Sequence, residues 1–303
     1  MEPKKILVVV VTYNRCELLQ RCLDHIEAQS RQTDAIVVIN NGSTDNTEVM
    51  LGARGIRCIT QENLGSAGGW SRGIECALNE SFDAVWLMDD DGYPEKDALS
   101  HLEKALKPGL ACVSSVVLCE DDPERLVFPF PILNKNELPV LFSKRRKIKT
   151  LPQVLSFTKK DVFPFAHFFN GTLVAMDAIR HIGNVNRDFF MFGDELDYFY
   201  RLREYGAIYS VLAAHHYHPD VGNRPLTRIK VYYYIKNTLI LNGLYFDQVF
   251  VRNILCILAA LARVVTRNGL LEAMSYIAGK NAPVFYRSIA RGMQKKLGKD
   301  FDD

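Results

Sequence analysis

The fold of this chain is decided by one stretch of sequence, Ala84-Val85-Trp86-Leu87-Met88-Asp89-Asp90-Asp91-Gly92. An apolar run of strand length ends there in three carboxylates and a glycine. Because a buried strand cannot hold three charges, we expect the carboxylates at its mouth, facing solvent or a cation. Two carboxylates one residue apart can point the same way and bind a hard divalent ion through oxygen. The stretch therefore predicts a site for a divalent ion and for the ligand phosphates that such an ion usually holds.

Strands and helices alternate along the chain before this stretch. Residues 6–11 form a β-branched run that opens into the polar loop 12–15, and residues 18–26 carry apolar side chains at helical spacing. A second apolar run, residues 35–39, ends in the turn-rich segment 40–45. This alternation predicts an α/β fold with a doubly wound, mostly parallel sheet, whose ligands bind beyond the carboxyl ends of the strands.

A glycine-rich segment, residues 62–73, comes between two of the predicted strands. Its four glycines would let the backbone pass close to a ligand, and the helix that follows would offer free N–H groups. We expect this predicted loop to gather with Tyr13, Asn40 and Asp89 on one rim of the sheet, because all of them follow strands.

The middle of the chain, residues 120–165, is predicted to be irregular. Prolines such as Pro129, Pro131, Pro139 and Pro152 break the segment, and residues 144–147 form a basic run. Two interpretations stay open, a solvated loop and a mobile flap that closes over phosphates of the donor or acceptor.

A second acidic cluster, Asp194, Glu195 and Asp197, lies among aromatic residues at the predicted start of a helix. The helix dipole favours carboxylates there, which alone would explain one acid. Three acids beside an apolar wall suggest a general base with a tuned pKa.

Three histidines, His215, His216 and His218, follow a predicted strand over residues 207–214. A single histidine is more often a packed core residue. Three within four positions favour a metal-ligand role, because neutral imidazole readily completes a carboxylate site.

The C-terminal segment, residues 221–303, is basic and is predicted to be helical from 226 to 297. It holds 13 Lys and Arg against 5 Asp and Glu, a charge of +8, so the rest of the chain carries −6 (2 − 8). A basic helical tail suits an anionic lipid surface or an acidic partner, or packing on a second subunit, better than nucleic-acid binding. We expect no membrane-spanning stretch, because residues 249–265 are interrupted by Arg252, Asn253 and Arg263.

The seven cysteines show neither a CxxC pair nor zinc-site spacing, which indicates a reducing compartment. The apolar run at residues 6–11 is too short for a signal peptide and is typical of a first strand.

Six ordered motifs resemble the family-2 inverting glycosyltransferases of the GT-A fold. They are Val-Thr-Tyr-Asn-Arg at 11–15, Asn-Asn-Gly-Ser-Thr-Asp at 40–45, Asn-Leu-Gly-Ser-Ala-Gly-Gly at 63–69, Met-Asp-Asp-Asp at 88–91, Phe-Phe-Asn-Gly at 168–171 and Gly-Asp-Glu-Leu-Asp-Tyr at 193–198. The resemblance covers residues 5–220 and is greatest to bacterial galactofuranosyltransferases. Rhamnosyltransferases of surface-polysaccharide pathways such as O-antigen synthesis are the next most similar.

The resemblance implies a GT-A nucleotide-sugar-binding catalytic domain over residues 1–220, with the flap or insertion at 120–165, and a membrane-associating or dimerising region over 221–303. It implies transfer of galactofuranose from UDP-galactofuranose, or of rhamnose from dTDP-rhamnose, to a glycan or polyprenyl-linked acceptor. The expected location is cytoplasmic, peripheral on the cytoplasmic face of the inner membrane.

The resemblance also implies roles for individual residues. Asn40 stands where the family usually has an aspartate that hydrogen-bonds the base. Because asparagine lacks the charge of aspartate, the choice between uracil and thymine as the base stays open. The residues expected to bind the donor are Thr12, Tyr13, Asn14, Arg15, Asn40, Asn63, Gly68, Gly69, Trp70, Asp89 and Asp90.

Asp89 and Asp91 match the metal-binding pair for Mn²⁺ or Mg²⁺, with Asp90 facing the sugar. His218 best matches the histidine that completes the metal site, and His216 is the alternative. Glu195 matches the catalytic base, with Asp194 beside it as the alternative.

The implied mechanism is a single displacement with inversion, so the two acidic clusters are expected to face each other over a cleft. Two other classes stay open. A nucleotidyltransferase would carry a basic glycine-rich signature in the first strand–helix loop, and residues 11–15 contain no glycine. The second open class is a non-catalytic module that binds a sugar nucleotide on the same fold.

Overall fold

The computed structural model describes residues 4–143, 146–158, 160–220, 222 and 224–301. The chain divides into two compact units. The first unit is Met1–Arg187 with Tyr198–Asp220, and the second is Asp188–Asp197 with Val221–Asp303. Residues 188–197, which lie within the predicted domain 1–220, belong to the same unit as the C-terminal helices. The catalytic domain over residues 1–220 stays a prediction.

The first unit is a mixed α/β structure. Its strands are β1 (Ile6–Thr12), β2 (Ala35–Asn40), β3 (Arg57–Thr60), β4 (Ala84–Asp89), β5 (Tyr93–Pro94), β6 (Leu110–Cys119), β7 (Asp122–Pro131), β8 (Lys147–Thr150), β9 (Val162–Phe163), β10 (Asn170–Ala175) and β11 (Ala207–His218). Its helices are α1 (Cys16–Glu27), α2 (Thr47–Ala53), α3 (Gly65–Asn79), α4 (Ala98–Ala105), α5 (Leu151–Phe157) and α6 (Met176–Ile182). A 3₁₀ turn, Arg187–Phe189, and helix α7 (Asp194–Tyr205) join the two units along the chain.

The strands form one sheet in the order β3-β2-β1-β4-β10-β6-β11-β5. Strand β1 is parallel to β2 and β4, and β2 is parallel to β3, as the strand–helix alternation predicts. Strand β10 is antiparallel to both β4 and β6, and β11 is again parallel to β6. The carboxyl ends of β1, β2 and β4 therefore lie side by side at one edge.

Helix α3 packs closely on β1, and this packing corrects the prediction of a glycine-rich loop. The helix begins at Gly65, so the later glycines of the segment are helical. A Cβ on Gly69 would lie 2.5 Å from Val11 Cγ1, and one on Gly73 would overlap Val9 Cγ1. Glycine is needed at both positions because the helix backbone lies directly against the valines of β1.

Residues 120–165 contain regular structure, which corrects the prediction of an irregular flap for the described part of the segment. Strand β7 pairs with β6 and β8, and β9 pairs with β11. Pro129 lies where the β7–β8 register shifts, between Arg125 and Phe130, and prolines within sheets occur at such irregularities. Two residues of the basic run, Lys144 and Arg145, lie outside the described residues, so closure over phosphates stays a prediction.

The second unit contains the predicted C-terminal helices. They are α8 (Arg228–Tyr245), α9 (Val249–Asn268), α10 (Leu270–Ala278) and α11 (Ala282–Met293). Thr227 caps α8, because its side chain accepts a hydrogen bond from the Lys230 N–H. Apolar residues of all four helices form one core cluster, namely Val231, Ile235, Leu239, Ala260, Val264, Ala273, Tyr276 and Phe285.

Helix α9 is long and apolar enough, by length and composition, to cross a membrane, and 22% of its apolar window is buried. It is the one such helix in the described part of the chain, and it corrects the expectation that no stretch reaches this length. Two of its polar residues have partners within the second unit. Arg252 pairs with Asp247 at 2.7 Å, and Asn253 Oδ1 accepts a hydrogen bond from Asn242.

Candidate active site

Asp90, at the carboxyl end of β4, is buried and fully engaged. Its Oδ2 accepts a hydrogen bond from Thr12 Oγ1 at 2.7 Å, and its Oδ1 accepts one from Arg15 Nη1 at 2.9 Å. Burial raises the pKa of the Asp90 carboxyl, although the Arg15 charge and the Thr12 hydroxyl oppose that rise. Both oxygens therefore hold the loop after β1, and the contact of Asp90 with the sugar stays a prediction.

Asp91 and His218 form a close pair. Asp91 Oδ1 lies 3.0 Å from His218 Nε2, and both residues are buried. His218 Nδ1 lies 2.7 Å from the carbonyl oxygen of Pro219, which can only accept, so Nδ1 carries a proton. Nε2 is then left to share a proton or a cation with the carboxylate.

The spacing of this pair fits a divalent ion. Two ligands at right angles around an octahedral ion, each about 2.1 Å away, are about 3 Å apart. Arg15 Nη1 lies 3.1 Å from Asp91 Oδ2, so the other oxygen of the carboxylate already has a cationic partner. The geometry of the Asp91–His218 pair is thus compatible with two ligands of such an ion, and metal binding by the pair stays a prediction.

The third predicted ligand, Asp89, does not complete this group. Across the described residues, no three His, Cys, Asp or Glu side chains are arranged to hold a metal. Asp89 is the last residue of β4, where its N–H donates to the Phe169 carbonyl and its Cα pairs with that of Val11. The structure thus brings together two of the three predicted ligands.

His216, the alternative ligand, is fully buried in β11. Neither of its ring nitrogens has a hydrogen-bond partner among the residues that the structure describes. Burial, with a smaller contribution from His218, lowers the pKa of His216 to about 3. The histidines were expected after a strand, but β11 runs through His218. Strand alternation therefore places His216 and His218 on one face and turns His215 toward Glu95.

The loop after β1 is fixed to the loop after β2. Asn14 has a positive φ of 53°, its N–H donates to Ser43 Oγ at 2.9 Å, and its Oδ1 accepts from the Thr44 N–H at 2.7 Å. The neighbouring Tyr13 is 45% exposed. The bracing by Asn14 therefore presents an aromatic ring at the edge where the β1 and β2 strands end.

Two asparagines brace the end of β2. Asn40 is buried, and its Oδ1 accepts from the Ser43 N–H at 2.8 Å. The adjacent Asn41 was not predicted, yet its Nδ2 donates to the Gly65 carbonyl and its Oδ1 accepts from Gln61 Nε2. The Asn-Asn-Gly turn at residues 40–42 was the sequence signal that could have indicated this bracing role of Asn41. Base recognition by Asn40 stays a prediction.

The start of α3 has a structural role. Asn63 Oδ1 accepts a hydrogen bond from the Gly65 N–H at 3.0 Å, which fixes the first turn. Gly68, Gly69 and Trp70 are buried. The Trp70 ring stacks on Phe169 with centroids 4.3 Å apart and planes 7° apart. Packing accounts for these residues as they stand, and donor contact by them stays a prediction.

The predicted base lies in the second unit, at the start of α7. Glu195 is partly exposed, and its Oε2 accepts a hydrogen bond from the Gly193 N–H at 2.9 Å. Asp194 is buried, and buried Asp197 accepts a hydrogen bond from the Tyr245 hydroxyl at 2.6 Å. Of the three acids, Glu195 is the one that a substrate could reach. Its catalytic role, and a cleft shared with Asp91, stay predictions.

In open α/β sheets of this kind, ligands bind beyond the carboxyl ends of the strands, which is where these acidic residues lie. The chain belongs to glycosyl transferase family 2, whose model matches residues 7–164. The prediction of a family-2 glycosyltransferase is thereby confirmed.

Two curated relatives are similar over most of the chain, and both are named galactofuranosyltransferase GlfT1. The protein from Mycolicibacterium smegmatis is 32% identical over 221 residues, which cover 71% of this chain and 70% of that protein. The protein from Mycobacterium tuberculosis H37Rv is also 32% identical, over 225 residues, with the same coverage.

Solved structures confirm the predicted GT-A fold. GalNAc-T7 with UDP, GalNAc and Mn²⁺ has a TM-score of 0.57 and 12% identity, and the match covers 82% of this chain. The chain spans about half of that protein, at 49% of its length. The mannosyltransferase PcManGT from Pyrobaculum calidifontis, with GDP-Man and Mn²⁺, has a TM-score of 0.54 and 14% identity. That match covers 97% of this chain and 86% of PcManGT. At these identities the likeness shows the fold alone.

Proposed function

We propose that the protein transfers galactofuranose from UDP-galactofuranose to a glycan or polyprenyl-linked glycan acceptor in bacterial surface-polysaccharide synthesis. The identity of 32% to galactofuranosyltransferases over 71% of the chain supports the sugar. The observation that carries the chemistry is the Asp91–His218 pair, a buried carboxylate and imidazole 3.0 Å apart beside the carboxyl end of β4.

Asp91 and His218 would hold Mn²⁺ or Mg²⁺. The ion would neutralise negative charge that develops on the leaving diphosphate. Arg15 bridges Asp90 and Asp91 and is 42% exposed at its side chain, so its guanidinium can also reach an incoming phosphate. Tyr13 offers an exposed ring on which the base of the nucleotide can stack.

Glu195 acts as the general base in this proposal. It takes the proton of an acceptor hydroxyl, whose oxygen forms a new bond to the anomeric carbon of the donor sugar. The bond from that carbon to the diphosphate oxygen breaks at the same time, and nucleoside diphosphate leaves from the opposite face. The anomeric configuration inverts. The hydrogen bond from the Gly193 N–H holds the Glu195 carboxylate in place.

The second unit is proposed to hold the enzyme at the cytoplasmic face of the inner membrane, where a polyprenyl-linked acceptor is anchored. Residues 221–303 carry a charge of +8. Large apolar side chains are exposed on α9 and α10, among them Phe250 at 76%, Leu258 at 57% and Leu271 at 84%. Apolar contact with acyl chains and attraction to anionic headgroups would act together. A homodimer through the same face is the alternative.

A donor panel tests this function. Purified protein and a polyprenyl-linked glycan acceptor are incubated with UDP-galactofuranose, dTDP-rhamnose or a nucleoside triphosphate, with Mn²⁺ or with EDTA, and the products are identified by mass spectrometry. We expect metal-dependent release of UDP and an acceptor that is one hexose heavier. Release of dTDP would favour rhamnose, and pyrophosphate from the triphosphate would indicate a nucleotidyltransferase.

Two variants test the residue roles in the same assay. Asp91→Asn and Glu195→Gln are each expected to lower kcat by about 10² to 10⁴-fold, because each removes the ionised carboxylate that its role requires. Glu204→Gln, at an exposed acid near the end of α7, serves as the control and should leave the rate unchanged. Near wild-type rates for Asp91→Asn and Glu195→Gln would overturn the mechanism.

A further inference from the structure

We propose that Asn237 is a positioning residue that holds residues 188–193, here named the base loop, in the conformation that sets the start of α7. The loop leads directly into Asp194 and Glu195. The inference rests on the proposed role of Glu195 as the base. It assigns a function to the adjacent pair Lys236 and Asn237 on α8, which the catalytic chemistry does not use.

The backbone of the base loop has an unusual conformation. Phe190 and Phe192 have positive φ angles of 64° and 59°, and Gly193 has 94°. Bulky side chains disfavour this left-handed region, so two phenylalanines in it persist only where surrounding contacts impose the conformation. A Cβ on Gly193 would lie 2.9 Å from Leu241 Cδ1, so the last residue of the loop also packs tightly.

Asn237 supplies contacts of this kind. It is fully buried, and its Nδ2 donates to the carbonyl oxygens of Phe189, Met191 and Phe192 at 3.0, 2.9 and 2.8 Å. A flipped amide would direct Oδ1 at three carbonyl oxygens, so these acceptors fix the orientation of the side chain. A single amide group thus gathers three carbonyls of the base loop around one donor.

Lys236, the residue before it, holds the other end of the loop through the C-terminal tail. Lys236 Nζ donates to the Gly298 carbonyl at 2.8 Å and to Asp300 Oδ2 at 2.6 Å. Asp300 is buried and also pairs with Arg291 at 2.6 Å. The Gly298 N–H then donates to the Asp188 carbonyl at 2.8 Å. The base loop is therefore held at its first residue by the tail and near its last residues by Asn237.

The loop in turn contacts the proposed base. Glu195 Oε2 accepts from the Gly193 N–H, so the carboxylate takes its position from the end of the base loop. A displacement of about 1 Å at a reacting group can lower a rate by about 10²-fold. Loss of the three Asn237 hydrogen bonds would release the strained loop and shift Glu195 without touching any substrate.

The test compares Asn237→Ala with Asn242→Ala. Asn242 lies on the same helix and is also buried, but its Nδ2 donates to Asn253 on α9 and not to the base loop. We expect Asn237→Ala to lower kcat by about 10 to 100-fold with the KM for UDP-galactofuranose within twofold of wild type. Chymotrypsin should cut this variant faster at Phe190 or Phe192. Asn242→Ala should lower the Tm to a similar extent while kcat and the cleavage pattern stay unchanged.

The outcomes separate this inference from the proposed function. If Glu195→Gln loses transfer while Asn237→Ala keeps kcat and its cleavage pattern, the positioning role is wrong and the base assignment stands. An equal loss of kcat in Asn242→Ala would also overturn the positioning role. If Glu195→Gln keeps transfer, the base assignment fails, and the positioning role fails with it. If Asn237→Ala does not fold, Asp300→Asn carries the test, with an intermediate fall in kcat supporting the role and an unchanged kcat overturning it.

Discussion

At the scale of single residues, His218 shows how a neighbouring carbonyl fixes what an imidazole can bind. The Pro219 carbonyl oxygen accepts a hydrogen bond from Nδ1–H, and Nε2 is directed at Asp91. Such supporting contacts orient metal-ligating histidines in many proteins. The interaction is local, because Pro219 directly follows His218 in the sequence.

A metal titration checks the role of His218. His218→Asn is expected to raise the Mn²⁺ concentration that gives half of the maximal effect on UDP affinity by about 10 to 100-fold, because one proposed ligand of the ion is lost. The matched control is His215→Asn, on the same strand but turned toward Glu95. Isothermal titration of UDP at a series of Mn²⁺ concentrations gives the measurement. Equal Mn²⁺ dependence in the two variants would contradict the assignment.

His167 gives a prediction on acid stability. Burial lowers its pKa in the folded protein to about 4, whereas 6.5 is the ordinary value. Between these values the unfolded chain binds a proton that the folded protein does not, so stability is lost as pH falls from 6.5 to 4. His167 packs against Phe128, Phe130 and Phe165. In His167→Phe the free energy of unfolding should no longer fall by the roughly 2 to 3 kcal/mol that protonation of this histidine costs the wild type over this pH range.

Urea denaturation of wild type and His167→Phe at pH 7 and at pH 4.5 measures this effect. Between pH 7 and pH 4.5, the free energy of unfolding should fall more in the wild type than in His167→Phe. The same difference at both pH values would show that His167 is not buried in its neutral form.

Candidate site residues were predictable where their chemistry is local. Acid and histidine clusters that each follow an apolar run indicated the segments of Asp91 and His218, and the family resemblance selected the two residues. The structure brings them together, and metal binding by them stays a prediction. The engagement of Asp90 was not predictable, because Thr12 and Arg15, which occupy its oxygens, lie more than 70 positions earlier. Only the pairing of β1 with β4 brings those residues together.

At the scale of elements, α3 shows how one pattern permits two interpretations. Gly65, Gly69 and Gly73 are four residues apart, which places them on one face of a helix. Four glycines within nine residues also resemble a flexible loop, and the sequence was interpreted in that way. The close approach to β1 decides between the two, and the sequence does not show that distance.

Glycine-to-alanine substitutions test this packing. Alanine in an exposed helix normally stabilises by up to about 1 kcal/mol relative to glycine. Gly73→Ala should instead lower the free energy of unfolding by about 1 to 3 kcal/mol, because the new methyl group overlaps the Val9 side chain. Gly52→Ala on α2, where no described atom lies within 4 Å of the added Cβ, should be neutral or stabilising. Urea denaturation measures both, and a stabilised Gly73→Ala would contradict the close packing.

Element boundaries were hardest to predict where polar residues or prolines lie within strands. Strand β11 continues through three histidines because His216 and His218 face the interior while His215 turns outward. Strand β7 contains Pro129 at a shift of register. Burial and irregular pairing decide these cases, and neither is visible in local composition.

At the scale of the whole molecule, strand–helix alternation was sufficient to predict the α/β fold class. It was not sufficient to assign residues 188–197, which pack with helices that begin some 30 positions later. One buried side chain, Asn237, makes the three hydrogen bonds that hold this segment against α8. No periodicity in the sequence indicates such a contact.

Vesicle flotation tests the proposed membrane association. Wild-type protein should float with vesicles that contain about 30% anionic lipid and less with neutral vesicles. Leu271→Asp, at a side chain that is 84% exposed on α10, should weaken binding by about 10-fold or more. Val49→Asp, at a 74% exposed valine of the first unit, is the control and should bind as wild type does. Equal flotation of the two variants would exclude α10 from the membrane contact.

The outward-facing side chains of α9 and α10 also govern how the protein behaves in the laboratory. Phe250 and Leu271 are more than three-quarters exposed, and other large apolar residues accompany them on the same helices. A purified sample in buffer without detergent should aggregate as its concentration rises, because neighbouring molecules bury these side chains against one another. Mild detergent or a lipid nanodisc should keep the particles separate, and light scattering with and without detergent would reveal the difference.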